Sequence, residues 1–175
     1  MDHALFDDVV RTDYGQFDIV WSDEGGFDGD FDRFFAGQLN GVVGAADPHG
    51  IYLNLGRRSG GSRLRIALLS QAPSVPGSQY DDVVEVSTTV PEGAEPRWMT
   101  WAAESGGMLP GLTPGTYRVR VSAWGRDAGH AQELTPEIVD EYLIELWPAA
   151  VAPDEILRSG SENAAYWHKE VGGRR

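Results

Sequence analysis

Three carboxylates at alternate positions, Asp28, Asp30 and Asp32, form the run best suited to chemistry. Alternating acids can ligate Ca²⁺ through hard oxygens, but an EF-hand loop also needs glycine at its sixth position and glutamate at its twelfth. Arg33 and Leu39 occupy those two positions here. We therefore interpret the run as an acidic loop and predict no metal site.

The other reactive residue types form no catalytic motif. The four histidines include no pair at i, i+4 and no His-x-His, and cysteine is absent, so zinc and thiolate sites have no support. The Gly-x-Ser-x-Gly motif of serine hydrolases is missing, and Ser59-Gly-Gly-Ser62 lacks the lysine of a phosphate loop. We predict a non-catalytic protein without a cofactor. Two carboxylates converging from distant parts of the chain, as in glycoside hydrolases, remain an alternative.

The negative charge is concentrated in the first 50 residues. The whole chain carries −13, and residues 1–50 hold eleven acids against two arginines, a net of −9. This excess of negative charge produces an electrostatic field that repels nucleic acid and accelerates the approach of basic proteins. The same charge can also do no more than keep the protein soluble. We predict a basic protein partner and no nucleic acid. The candidate partner-binding residues, chosen for carboxylate density, are Asp23, Glu24, Asp28, Asp30 and Asp32.

Alternation of apolar and polar residues predicts short strands separated by Gly- and Pro-containing turns. In the clearest case, residues 116–124, Tyr117, Val119, Val121 and Ala123 face inward. In residues 14–21, Phe17, Ile19 and Trp21 share one face and Asp18 lies on the other. The remaining predicted strands are 51–55, 63–68, 83–90, 97–101 and 141–147. These strands predict an all-β, single-domain antiparallel β-sandwich of about seven or eight strands with a short helical C-terminal tail.

The chain changes character after Pro148. We predict a sandwich domain over residues 1–148, followed by an extended connector and short helical turns over residues 149–175 that pack on the domain. Helical turns are expected at 154–158 and 161–168, each after a residue able to cap a helix. The sequence has no apolar run long enough to cross a membrane and no secretory signal, which favours a cytoplasmic protein.

Six tryptophans offer an alternative function. Exposed tryptophans on a β scaffold can stack against sugar rings, so a carbohydrate-binding module is a second hypothesis. Trp124 and Trp147 lie on the outward phase of their strands and are the candidate aromatic surface. The competing interpretation is that the C-terminal tail covers them through Tyr166 and Trp167.

Several segments, in order, resemble the competence protein J family. These are Tyr14-Gly-Gln-Phe-Asp-Ile19, Val83-Val-Glu-Val-Ser-Thr-Thr-Val-Pro91, Leu112-Thr-Pro-Gly-Thr-Tyr-Arg-Val119 and Glu141-Tyr-Leu-Ile-Glu-Leu-Trp147. The resemblance implies a small bacterial protein that inhibits the DNA-uptake nuclease by binding it, with no catalytic residues. An acidic protein suits such a partner, because the DNA-binding cleft of a nuclease is basic. The sequence does not indicate an oligomeric state.

Overall fold

The computed structural model of the protein describes residues 2–174. Strands dominate, as predicted, and are numbered along the chain: β1 His3–Thr12, β2 Gln16–Val20, β3 Val43–Gly44, β4 Gly50–Asn54, β5 Gly60–Leu68, β6 Asp82–Val90, β7 Arg97–Thr100, β8 Gly106–Met108, β9 Gly115–Trp124, β10 Glu141–Pro148 and β11 Glu155–Ser159. The helices are α1 Phe31–Phe34, α2 Arg126–Ala131 and α3 Glu162–Glu170, with one 3₁₀ turn at Trp101–Ala103.

The strands form two sheets. The six-stranded sheet has the order β1-β5-β10-β9-β6-β11, and the five-stranded sheet has the order β3-β4-β2-β7-β8. Apolar residues from both sheets build one hydrophobic core, including Ile19 and Leu53 from the smaller sheet and Val119 and Ile144 from the larger. No helix among the described residues is long and apolar enough to cross a membrane.

The structure corrects the predicted strand list in three ways. The described residues contain eleven strands rather than seven or eight. The larger sheet is not purely antiparallel, because β10 runs parallel to β5 with Ile144 opposite Ile66. Residues 154–158, expected as a helical turn, instead contribute to the edge strand β11, which pairs with β6.

The outer face of the larger sheet carries arginines from β5 and β9. Arg118 and Arg120 both contact Glu85, at 3.1 and 2.8 Å. Arg63 and Arg65 contact Asp7 of β1. These guanidinium groups therefore join neighbouring strands.

The outer face of the smaller sheet is covered by a second, smaller apolar cluster. Phe34 and Phe35 from the α1 region pack there against Tyr52 of β4 and against Val171, which follows α3. Every residue of β2 and β4 is consequently buried, on both faces of the sheet. The segment that covers this face includes the candidate acidic residues between positions 23 and 32.

Candidate functional site: the acidic segment

Residues 23–32, the acidic segment, lie over the outer face of the smaller sheet and are anchored there by aromatic rings. Phe27 stacks on Tyr52 with ring centroids 3.8 Å apart and an angle of 4° between the rings. Its ring also meets the edge of Phe34 at 5.2 Å, and Phe31 lies 5.9 Å from Trp167 of α3. Aromatic and acidic residues are interspersed in the sequence here, so partly buried rings hold neighbouring carboxylates at the surface.

A buried polar network fixes the same segment from below. The carboxylate of Asp18 accepts a hydrogen bond from the Phe27 backbone N–H at 3.2 Å and another from Gln16 Nε2 at 2.7 Å. Gln16 Nε2 also donates to the Phe27 carbonyl at 3.0 Å. Phe27 is therefore held through both its ring and its backbone.

Asp18 is buried, and its partners among the described residues are the uncharged Gln16 side chain and the Phe27 backbone. Desolvation raises its pKa to about 6, against the opposing effect of the hydrogen bonds from Gln16 and Phe27. Burial of a carboxylate without a cation costs free energy, and the two hydrogen bonds offset part of that cost. Alternation in the sequence placed Asp18 on the face opposite Phe17 and Ile19, and the structure shows that this face is buried as well.

All five candidate carboxylates are exposed, and each contacts a basic side chain. Asp28 and Asp30 share Arg33, at 3.0 and 3.4 Å. Asp23 contacts Arg97 at 2.8 Å, and Glu24 lies 3.3 Å from His49. Asp32 pairs with Arg174.

The five acids thus do not converge on one point. Arg33 brings two of them together, and it also reaches Asp47 at 2.9 Å, whereas Asp23, Glu24 and Asp32 meet three separate groups. Asp23 is fully exposed and the side chain of Asp32 is 82% exposed. Within residues 2–174 no cluster of three or more His, Asp or Glu side chains is arranged to hold a metal ion. The geometry suits display of negative charge to a macromolecule.

The predicted tryptophan surface is wrong for Trp147, which is 6% exposed. Arg120 lies over its ring at 5.5 Å, and Arg120 also donates to the carbonyl of Ser74 at 2.7 Å. Trp124 is 41% exposed at the opposite end of the β9–β10 pair, so the two rings form no common platform. The tail covers neither ring through Trp167, which packs on the smaller sheet instead.

Comparisons with known proteins find similarity among solved structures only. No family profile matches the sequence, and no curated protein sequence matches it. Among solved structures, the crystal structure of ComJ, inhibitor of the DNA degrading activity of NucA, from Bacillus subtilis, is similar with a TM-score of 0.58 and 17% identity, covering 85% of this chain and 99% of ComJ. This chain has the fold of ComJ. The resemblance to the competence protein J family is therefore confirmed as a distant structural one.

A second solved structure, described as crocagin biosynthetic gene J, shares the fold. Its TM-score is 0.53 at 14% identity, and the match covers 86% of this chain and 99% of that one. At these identities both likenesses concern the fold alone. Residues 23–32 of this chain therefore have to be judged on their own geometry.

Proposed function

We propose that this chain is a non-catalytic inhibitor that binds a basic, DNA-degrading nuclease. The observation that carries the proposal is the rigid display of five exposed carboxylates on an aromatic-anchored segment. A positively charged nuclease cleft attracts such a surface as it attracts DNA phosphates. The fold likeness to ComJ, itself described as a nuclease inhibitor, supports the same function. We infer the kind of partner from the negative charge of this surface and not from any catalytic group.

The acidic segment is preorganised for this role. Phe27 and Phe31 fix its backbone, so little further ordering is needed when a partner docks. The cations beside the acids reduce their mutual repulsion, while the most exposed carboxylates, Asp23 and Asp32, stay open to solvent. Contacts of this exposed kind govern association rate and salt dependence more than residence time.

The test is inhibition of DNA degradation by NucA as salt is varied. We expect the chain to inhibit at low salt and to lose potency as ionic strength rises, because exposed charges are screened. Asp23→Asn combined with Asp32→Asn should weaken inhibition several-fold at low salt and little at high salt. The matched control is Glu92→Gln with Glu95→Gln, which removes two exposed acids elsewhere in the sequence.

A further control separates binding of the enzyme from coating of the DNA. The chain alone should not shift a DNA fragment in a gel, because its net charge of −13 repels phosphate. Undiminished DNA degradation at a tenfold molar excess of the chain in low salt would contradict the proposal. So would equal loss of inhibition in the acidic-segment variant and the control variant.

A further inference from the structure

Three residues other than glycine have a left-handed backbone within residues 2–174: Tyr14 at φ 55°, and Ala102 and Ala103 at φ 53° each. Each such residue costs on the order of 1–2 kcal/mol relative to ordinary backbone. All three belong to one place, because the Tyr14 ring lies 5.1 Å from the ring of Trp101, which opens the turn containing the two alanines. Backbone strain gathered at one exposed place is characteristic of binding sites.

Surrounding hydrogen bonds impose this conformation. The turn after Tyr14 is held by the Gly15 N–H, which donates to the Arg58 carbonyl at 2.9 Å. The Trp101 N–H donates to Thr12 Oγ1 at 3.2 Å, which ties the second turn to the end of β1. Tyr14 is 61% exposed, so a large aromatic side chain is fixed in solvent rather than packed away.

Arg58 extends this aromatic pair towards α3. Its guanidinium lies over the ring of Trp167 at 5.5 Å, and Trp167 meets Tyr166 at 5.2 Å. Arg58 lines two hollows: one of about 360 Å³ beside Tyr14 and Trp101, and one of about 760 Å³ beside Tyr166 and Trp167. We call these five side chains the aromatic strip: Tyr14, Trp101, Arg58, Trp167 and Tyr166.

The composition of the aromatic strip is that of a protein–protein hot spot. Trp, Tyr and Arg carry most of the binding energy in measured interfaces, because they bury large areas at a small loss of side-chain freedom. The two hollows are lined by three acidic residues, Asp13, Asp127 and Glu162, against one arginine, Arg58. This excess of acids over arginine suits a partner rich in Lys and Arg. Nucleic acid, by contrast, would meet these carboxylates unfavourably.

The aromatic strip adjoins the acidic segment. Phe31, between Asp30 and Asp32, lies against Trp167, so the two features share α3 as a boundary. One partner can therefore contact the acidic segment and the neighbouring end of the aromatic strip together. The segment can steer the encounter, and the buried aromatic contact can set how long the complex lasts.

We propose that the aromatic strip is the surface that holds the basic protein partner, with a Lys or Arg side chain of that partner entering the larger hollow beside Asp127, Glu162 and Tyr166. This inference rests on the proposed function and assigns its docking surface. In this inference the acidic segment governs the association rate of the complex, and the aromatic strip governs its dissociation rate.

The experiment measures both rate constants for NucA binding to the immobilised full chain. Tyr14→Asn with Trp101→Ala should raise the dissociation rate by roughly 30-fold or more, the range of hot-spot residues. Asparagine is chosen at position 14 because it tolerates the left-handed backbone. Asp23→Asn with Asp32→Asn should instead lower the association rate. The matched control is Trp124→Ala, which removes an exposed tryptophan from the larger sheet.

Every outcome of these rate measurements either supports or overturns the inference. Circular dichroism and a thermal melt confirm that the variants fold, and Tyr166→Ala on the surface of α3 provides a second probe that leaves both strained turns intact. Binding by the unchanged chain with dissociation unaffected in both strip variants overturns this inference and spares the proposed function. Absence of binding by the unchanged chain overturns both. If the chain instead forms a dimer that Trp101→Ala dissolves, the strip joins two copies and the inference is wrong.

Discussion

Asp18→Asn should stabilise the protein at neutral pH although it alters a fully buried side chain. The carboxylate has no cationic partner among the described residues, and burial raises its pKa from 3.8 to about 6. A shift of this size corresponds to about 3 kcal/mol of unfolding free energy, because each pKa unit is worth about 1.4 kcal/mol. This is the amount by which ionised Asp18 disfavours the folded state at pH above 6.

The direction of this pH dependence of stability follows from which state, folded or unfolded, binds the Asp18 proton more tightly. The folded state does, so the contribution of Asp18 to stability is fully present at pH below 3.8 and is lost as pH rises through 6. Between about pH 4.5 and pH 7.5 the loss is roughly 2 kcal/mol. Asparagine does not ionise, so the stability of the Asp18→Asn variant carries no such pH dependence from this position. The asparagine does place an amide N–H₂ group against Gln16 Nε2, and one lost hydrogen bond costs about 1 kcal/mol.

The expected result is a variant more stable by about 2 kcal/mol at about pH 7.5, with the advantage shrinking or reversing at about pH 4.5. Urea unfolding followed by tryptophan fluorescence at several pH values measures it. Asp8→Asn, which removes one exposed carboxylate of β1, is the control for net charge. A pH-independent stability difference, or a variant less stable at neutral pH, would refute the assignment of Asp18 as an uncompensated buried charge.

Two further changes test other parts of the structure by the same unfolding measurement. Glu85→Gln leaves Arg118 and Arg120 buried without their shared carboxylate and should cost about 3–5 kcal/mol; a loss below about 1 kcal/mol would show that solvent already screens this group. Ala102→Gly relieves a left-handed alanine and should gain up to about 1 kcal/mol after the entropy cost of glycine. Destabilisation by the glycine would mean that the turn beside Trp101 is not strained.

The sequence predicted central strands well and edge strands poorly. Strand β9 alternates cleanly because it is paired on both sides and faces the core with Val119 and Val121. Strands β1 and β11 form the two edges of the larger sheet and are mostly exposed, so their side chains carry little hydrophobic alternation. Edge strands commonly carry charged residues, and Asp7 and Asp8 in β1 hide the strand from pattern reading.

The burial of Asp18 was hidden for a different reason. Alternation places it opposite Phe17 and Ile19, and a single strand cannot reveal that the second face of its sheet is also covered. The cover comes from Phe27 and Phe31, which follow β2 in the chain, and from Trp167 of α3, which is distant in sequence. Trp147 was misassigned in the same way, since its outward phase says nothing about the loop that reaches Arg120 above it. Periodicity reports the face of a residue and not what packs on that face.

Negative charge alone does not distinguish a docking surface from one that only keeps the protein in solution, and the proposed docking role therefore rests on how this charge is held. A disordered acidic tail would attract a basic partner equally well and would lose its freedom on binding, which weakens the complex. Here Phe27 and Asp18 fix the segment beforehand, and the free energy that Asp18 costs is part of that arrangement. Replacing Asp18 by Asn removes one buried charge and leaves the five exposed carboxylates in place, while it changes the hydrogen bonds that hold Phe27. Its effect on nuclease inhibition separates the contribution of rigidity from that of charge.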